Sequence, residues 1–76
     1  MEIIKIKTPF IQLQQLLKFA DVVEEGTDAK ILIKEGYVTL NGETETRRGK
    51  KIYPGDEVLI SYDGQKISLK VDGENI

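Results

Sequence analysis

Turn signals divide the second half of this 76-residue chain into short segments. Asn-Gly and Asp-Gly pairs favour two-residue hairpins, and Pro-Gly-Asp favours a tight turn with proline in its second position. A glycine directly after a helical pattern is typical of a helix end. The signals are Gly36, Asn41-Gly42, Pro54-Gly55-Asp56 and Asp63-Gly64. The segments between them suit strands, so the second half is predicted to be a set of antiparallel hairpins.

Alternating apolar residues in these segments predict which side of each strand faces the core. One face of a half-buried strand carries every second residue. The inward residues are predicted to be Val38 and Leu40, then Val58, Ile60 and Tyr62, then Ile67, Leu69 and Val71. Residues 43–46 include no apolar side chain, so they are expected at an exposed edge of the sheet. Residues 72–76 are expected to form a frayed tail.

The first half of the chain has the pattern of one strand and two helices. Residues 2–7 alternate in part and fit a short strand whose lysines suit a sheet edge. Thr8-Pro9 has the pattern of a helix cap followed by proline at the first helical position. This first helix is expected to end near Ala20 or Asp21. Its apolar stripe comprises Leu13, Leu16, Leu17 and Ala20.

The second helix is predicted between an acidic start and a glycine stop. Its cap could be Glu25 or Thr27, and acidic residues at this end suit the positive pole of the helix dipole. Lys30 and Lys34, four residues apart, lie on one outer face. The inner face comprises Ala29, Leu32 and Ile33. The predicted order is βααββββ, an α+β fold in which two helices of the N-terminal half pack on a small antiparallel sheet, with residues 1–76 as a single domain.

Residue types that the sequence lacks exclude several kinds of chemistry. Without cysteine no disulfide can form, and without histidine the commonest general base and metal ligand is missing. We therefore expect no enzyme activity, no metal site and no cofactor. The acids at positions 21, 24, 25 and 28 match no metal-binding loop and are interpreted as a solvated helix start. With neither a signal-peptide pattern nor an apolar run of membrane-spanning length, the protein is expected to be cytoplasmic and without membrane contact.

Charge is segregated along the chain, although the net charge is only −2. Residues 21–28 carry a net charge of −4, whereas residues 29–55 carry +3. The basic loop, defined as residues 47–51, consists of Arg47, Arg48, Gly49, Lys50 and Lys51. Arginine forks and lysine ammonium groups bind phosphates, and glycine lets a backbone approach closely. A solvated loop is the alternative, but the absence of acids within the loop favours nucleic-acid binding.

Four further residues could add to this basic surface. Lys30 and Lys34 could extend it along the second helix, or make ordinary surface contacts with nearby acids. Lys18 is a similar candidate with weaker support. Tyr37 and Tyr53 could each stack on an unpaired base, Tyr37 being the better candidate, or could be half-buried packing residues.

The motifs of residues 16–58, taken together, carry a resemblance to a known domain. The segment reads LLKFADVVEEGTDAKILIKEGYVTLNGETETRRGKKIYPGDEV and resembles the alpha-L RNA-binding motif, the domain named after the fourth protein of the small ribosomal subunit. The matching features are the leucine-rich first helix, the Ala29–Leu32–Ile33 pattern, Gly36 with Val38, Asn41-Gly42, and Lys51 leading to Pro54-Gly55-Asp56. The resemblance spans about residues 10–60. Within it, TPFIQLQQLLKFADVV and ETRRGKK look most similar to the free-standing bacterial type, the small YaaA/YbcJ-like proteins.

The resemblance implies binding of structured RNA, of the ribosomal or transfer RNA class, through the helix pair and adjoining loops. The residues then expected to contact RNA are Lys18, Lys30, Lys34, Tyr37, Arg47, Arg48, Lys50 and Lys51. Two departures from the family pattern remove potential phosphate contacts. Gln12 stands where the family often has an arginine, and Glu25-Gly26 stands where it often has Ser-Arg. These departures could weaken the affinity or shift the footprint.

Other functions fit the sequence less well. A protein–protein adaptor of the same fold would dock a partner through its acidic segment, residues 21–28, and would expose an apolar patch. A ubiquitin-like sulfur carrier needs a Gly-Gly end, whereas this chain ends Gly73-Glu74-Asn75-Ile76. We expect a monomer with structured RNA as its partner. A protein partner is left open, and so is the oligomeric state, since residues 43–46 could add to another sheet edge.

Overall fold

The computed structural model describes residues 1–74, which form two helices and seven strands. The helices are α1 (Leu13–Phe19) and α2 (Gly26–Lys34). The strands are β1 (Glu2–Ile6), β2 (Ile11–Gln12), β3 (Val38–Leu40), β4 (Glu43–Thr44), β5 (Lys51–Ile52), β6 (Glu57–Tyr62) and β7 (Gln65–Gly73). The predicted α+β class and helix pair are confirmed. The two-residue strands β2 and β5 are additions to the predicted order.

The main sheet has five strands in the order β1-β7-β6-β3-β4. The hairpin-connected neighbours are antiparallel, as predicted, and β4 lies at the edge expected for its polar residues. β1 instead pairs in parallel with β7, with Glu2 opposite Leu69 and Ile6 opposite Gly73. The sheet is therefore mixed rather than wholly antiparallel. Hairpin signals identify only strands that are joined by a short turn, and β1 reaches β7 through long-range pairing.

The core lies between the helix pair and one face of this sheet. Its members are Ile4, Ile6, Leu13, Leu16, Leu17, Ala29, Leu32, Ile33, Val38, Ile52, Val58, Ile60, Leu69 and Val71. The predicted inner face of α2 is confirmed, because Ala29, Leu32 and Ile33 are all buried. Glu25, one of the two residues considered, occupies the N-cap position of α2, although its side chain makes no capping hydrogen bond. The chain leaves the helix at Gly36 with a φ of 85°. No helix among residues 1–74 is long and apolar enough to cross a membrane.

The start of α1 differs from the prediction. Thr8-Pro9 does not begin a helix, and the Thr8 hydroxyl donates a hydrogen bond to the Phe10 carbonyl at 2.8 Å. β2 follows and pairs with β5, Ile11 opposite Ile52, so the helix begins only at Leu13. Pairing between two short, distant strands produces no local sequence pattern. The proline signal alone therefore placed the start of the helix too early.

The predicted hairpins at Asn41-Gly42 and Asp63-Gly64 are confirmed. Both central residues of each turn have positive φ, 51° and 90° in the first and 53° and 76° in the second. The turn at Pro54 is confirmed as well, since the Asp56 amide donates to the Tyr53 carbonyl at 3.0 Å. These turns fix the register of β3, β4, β6 and β7.

Two predictions at strand ends were wrong. Tyr62 does not point into the core. Its side chain is half exposed and meets Tyr37 edge-on. It lies at the end of β6, where the preceding residue is exposed as well. The tail was expected to fray from residue 72, but β7 continues to Gly73 because β1 pairs with it. The Glu74 amide also donates to the Ile6 carbonyl at 2.9 Å. The rest of the predicted tail, residues 75–76, lies outside the described residues.

Candidate nucleic-acid interface

The basic loop is held against the start of α1 by its backbone. The Leu13 amide donates to the Lys50 carbonyl at 2.8 Å, and the Gln14 amide donates to the Arg48 carbonyl at 3.0 Å. The first amides of a helix have no partner within the helix, and no side chain caps this one. The loop carbonyls therefore cap α1, while three of the four cationic side chains are exposed and Lys50 is half-buried.

Glu45 clamps one end of the basic loop. Its side chain is buried, with 9% of the residue exposed, and its carboxylate accepts three hydrogen bonds from Arg47. The backbone amide and Nε of Arg47 donate to Oε2, and Nη2 donates to Oε1, each at 3.0 Å. These bonds, more than the charge of nearby Lys50, lower the pKa of Glu45 to about 2. Hydrogen bonding to Glu45 in turn raises the pKa of Arg47.

The basic loop itself contains no acid, as the sequence shows, but the clamp pairs one of its charges with an acid from outside the loop. Glu45 lies just before the loop, and residues 43–46 were interpreted only as a polar edge strand. The sequence did offer one signal for this ion pair, because Glu45 stands two positions before Arg47. Because residues 43–46 are all polar, their alternation does not reveal which of them is buried. One of the four loop cations is therefore already paired by the fold.

The exposed side of α2 faces the loop and completes a cationic hollow. This hollow, of about 510 Å³, is lined by Lys30, Lys34, Thr46, Arg47, Arg48 and Gly49. The fold thus brings together four of the predicted RNA-contacting residues from two separate segments. The one ion pair among residues 1–74 joins Arg47 to Glu45, so Lys30, Lys34 and Arg48 have no carboxylate partner in that part of the chain. The alternative interpretation was that Lys30 and Lys34 make surface contacts with nearby acids. No ion pair within residues 1–74 supports it.

An aromatic hollow, named for Tyr53, adjoins the cationic hollow. Its volume is about 330 Å³, and its lining comprises Arg47, Gly49, Lys50, Lys51 and Tyr53. The Tyr53 ring packs on Phe10, with centroids 5.9 Å apart and a tilt of 51°. The Lys51 ammonium lies 4.8 Å from the centre of the Phe10 ring, within cation–π range. The remaining two loop cations, Lys50 and Lys51, therefore lie on the aromatic side of the loop.

Two predicted contact residues lie outside both hollows. Lys18, on α1, lines a separate surface hollow with Ile11, Gln15 and Phe19. The Tyr37 ring packs edge-on against Tyr62, with centroids 4.9 Å apart and an interplanar angle of 74°. The structure therefore brings neither side chain into the basic cluster.

The acidic segment borders an apolar hollow of its own. Glu24 and Asp28 line this hollow together with Val22, Val23, Ile31, Leu32 and Tyr62. Among the described residues, no three histidine, cysteine, aspartate or glutamate side chains are grouped so as to hold a metal ion. The two charge signs predicted from the sequence therefore occupy different hollows of the folded domain.

Comparisons with known proteins agree with this architecture. Residues 4–74 match the family model of the S4 domain. The chain is 47% identical over 61 residues to the "Probable ribosome maturation protein RlbA" of Bacillus subtilis (strain 168). The aligned region covers 80% of this chain and 86% of that protein. It is 40% identical over 63 residues to the "Putative RNA-binding protein YbcJ" of Escherichia coli (strain K12), with coverages of 83% and 87%.

A solved structure shares the fold as well. The solution structure of YbcJ from E. coli, described as revealing an AlfaL motif involved in RNA-binding, matches with a TM-score of 0.62. The match has 35% sequence identity and covers 92% of this chain and 87% of that chain. The chain belongs to the S4 domain family, and the resemblance inferred from its sequence is confirmed.

Proposed function

We propose that this domain binds structured RNA through the cationic hollow. The observation that carries the proposal is the convergence of Lys30, Lys34, Arg47 and Arg48 on one hollow, three of them without a carboxylate partner in residues 1–74. Unpaired cations on one surface attract the closely spaced phosphates of nucleic acid. Membership of the S4 domain family and similarity to a protein named as RNA-binding support RNA as the ligand.

The proposed target is ribosomal or transfer RNA, and the similarity to RlbA favours ribosomal RNA. RlbA carries the name of a probable ribosome maturation protein and is 47% identical to this chain over 61 residues. Folded RNA of this class presents phosphates from neighbouring strands at fixed positions, which suits a hollow whose cations come from a helix and a clamped loop. The domain would then act in the cytoplasm, where such RNA is found.

Each cation has a different part in the proposed contact. Arg48 and the two α2 lysines, without ionic partners in the described residues, would contribute most to phosphate binding. Arg47 keeps donor groups beyond those that bind Glu45, and its side chain is 70% exposed, so it would bind phosphate while still clamped. Lys50 and Lys51 would contact RNA on the aromatic side of the loop. Lys18 and Tyr37 stay predictions of outlying contacts.

The proposed binding depends on charge and shape, with little reading of base edges and no catalytic step. Phosphate contacts are independent of sequence, whereas the spacing of cations selects the RNA shape. The adaptor alternative is not favoured, because the names of these relatives refer to RNA binding and ribosome maturation.

The test is fluorescence anisotropy with a labelled ribosomal RNA fragment over a series of salt concentrations. The test variant carries Lys30→Ala, Lys34→Ala and Arg48→Ala, which spares Arg47 and its clamp. The matched control carries Lys5→Ala, Lys66→Ala and Lys70→Ala, three exposed cations of the main sheet, so both variants lose the same charge.

Each lost phosphate contact should flatten the log–log salt slope by about 0.7–0.9, so the test variant should lose about 2–3 in total. The control should keep the wild-type slope. Equal flattening by both variants would mean that net charge alone governs binding. No binding of the wild type at low salt would refute the proposed function.

A further inference from the structure

We propose that Tyr53 is a stacking platform for one unpaired base at the border of the RNA bound in the cationic hollow. The inference rests on the proposed function and adds a nucleotide site to it. The site is the aromatic hollow on the far side of the basic loop. Its ligand is a single-stranded nucleotide that extends from a folded RNA.

The surroundings of Tyr53 combine the two groups that such a nucleotide needs. The residue is 48% exposed, although its ring also contacts Phe10. Arg47, Lys50 and Lys51 line the same hollow. Proteins that hold single-stranded nucleic acid place bases on aromatic rings and phosphates on nearby cations. A base on this ring would have its phosphate within reach of the loop.

The ring is positioned before any ligand binds. The Tyr53 amide donates to the Asp56 carboxylate at 2.8 Å, and the Tyr53 carbonyl accepts from the Asp56 amide at 3.0 Å. Its neighbour Ile52 is fully buried and pairs with Ile11. Phe10 supports the ring from one side. A tyrosine with a fixed backbone loses little conformational freedom when a base stacks on it.

Two further features keep the hollow cationic and open. Lys51 lies over the Phe10 ring, and this contact holds its ammonium beside the platform. A Cβ at Gly49 would meet no atom within 4 Å apart from those of its two chain neighbours, so the loop leaves space at this point. A nucleotide can therefore approach the ring past the loop glycine.

Tyr53 is a better platform than Tyr37, which the sequence alone favoured. Tyr37 already packs edge-on against Tyr62, and Tyr62 lines the hollow bordered by Glu24 and Asp28. Carboxylates there would repel the phosphate of a stacked nucleotide. At Tyr53 the nearby charges are cations instead.

The test compares a blunt RNA hairpin with the same hairpin carrying a short single-stranded extension that contains 2-aminopurine. The proteins are the wild type, Tyr53→Ala, Tyr53→Leu, Tyr53→Phe and the matched control Tyr62→Ala, which removes an equally exposed tyrosine. Leucine preserves an apolar contact with Phe10 but removes the ring, which separates stacking from folding. Affinities come from anisotropy, and stacking from quenching of the 2-aminopurine fluorescence.

If Tyr53 stacks on a base, Tyr53→Ala and Tyr53→Leu should weaken binding of the extended hairpin by about 5- to 150-fold. They should also abolish the quenching and leave the affinity for the blunt hairpin unchanged, whereas Tyr53→Phe and Tyr62→Ala should behave like the wild type. If both hairpins bind but the Tyr53 variants do not distinguish them, the platform is refuted and the proposed function stands. If the wild type binds neither hairpin at low salt, the proposed function fails and the platform fails with it.

Discussion

Replacing Ile52 by alanine should destabilise the domain far more than the same change at Ile31. Ile52 is fully buried in the core and lies at the end of the basic loop, paired with Ile11. Ile31 lies on α2 and is 53% exposed. The two substitutions delete the same atoms, so the difference between them measures burial.

The expected size follows from the structure of each site. Three deleted carbon groups at about 0.8 kcal/mol each give about 2.4 kcal/mol for Ile52→Ala, and a cavity term brings the total to about 3 kcal/mol. Ile31→Ala should change the stability by less than about 0.5 kcal/mol, because its side chain is half exposed and alanine favours a helix. A domain of this length has a total stability of roughly 4–11 kcal/mol, so the Ile52 variant should still fold.

The assay is urea unfolding at neutral pH, followed by circular dichroism. The midpoint for Ile52→Ala should fall with an unchanged denaturant slope, which indicates lost stability rather than a changed unfolded state. A loss below about 1 kcal/mol for Ile52→Ala, or equal losses in the two variants, would refute the reasoning. The basic loop would then not be anchored through Ile52.

Two other predictions concern single residues around the site. The pKa of Glu45 is lowered from 4.5 to about 2, so its carboxylate stabilises the fold fully above pH 4.5, and this contribution is lost as the pH falls towards 2. The difference in unfolding free energy between wild type and Glu45→Gln should therefore be largest near neutral pH and vanish towards pH 2, whereas a difference independent of pH would contradict the Arg47 clamp. Gly64→Ala should cost about 1 kcal/mol because φ is 76° at this position, whereas Gly49→Ala should not destabilise, since Gly49 has open space and no positive φ. Urea unfolding checks both, and equal effects of the two glycine substitutions would show that backbone strain is not the cause.

Local signals predicted most of the secondary structure of this domain. Hairpin dipeptides, the stop at Gly36 and the apolar spacing of α2 depend on neighbouring residues, so they can be read from the chain alone. The parallel β1–β7 pair and the β2–β5 ribbon join distant segments. No local pattern encodes such pairs, and the second of them moved the start of α1 to Leu13.

The candidate site was predictable in part for the same reason. The spacing of Lys30 and Lys34 predicts that they share a helix face, and the charge run predicts a basic loop. Only the folded chain shows that this face borders Arg48 and that Glu45 engages Arg47. The hollow depends on how α2 and the loop pack, which is a property of tertiary structure.

The most direct test of the central claim is to locate bound RNA on the domain by NMR. Backbone amide shifts of labelled protein would be followed while a ribosomal RNA fragment is added. If RNA binds in the cationic hollow, the largest changes should fall on Lys30, Lys34 and residues 46–51, while the Asp63-Gly64 hairpin should be unaffected. Changes centred on residues 21–28, with the basic loop unmoved, would contradict it.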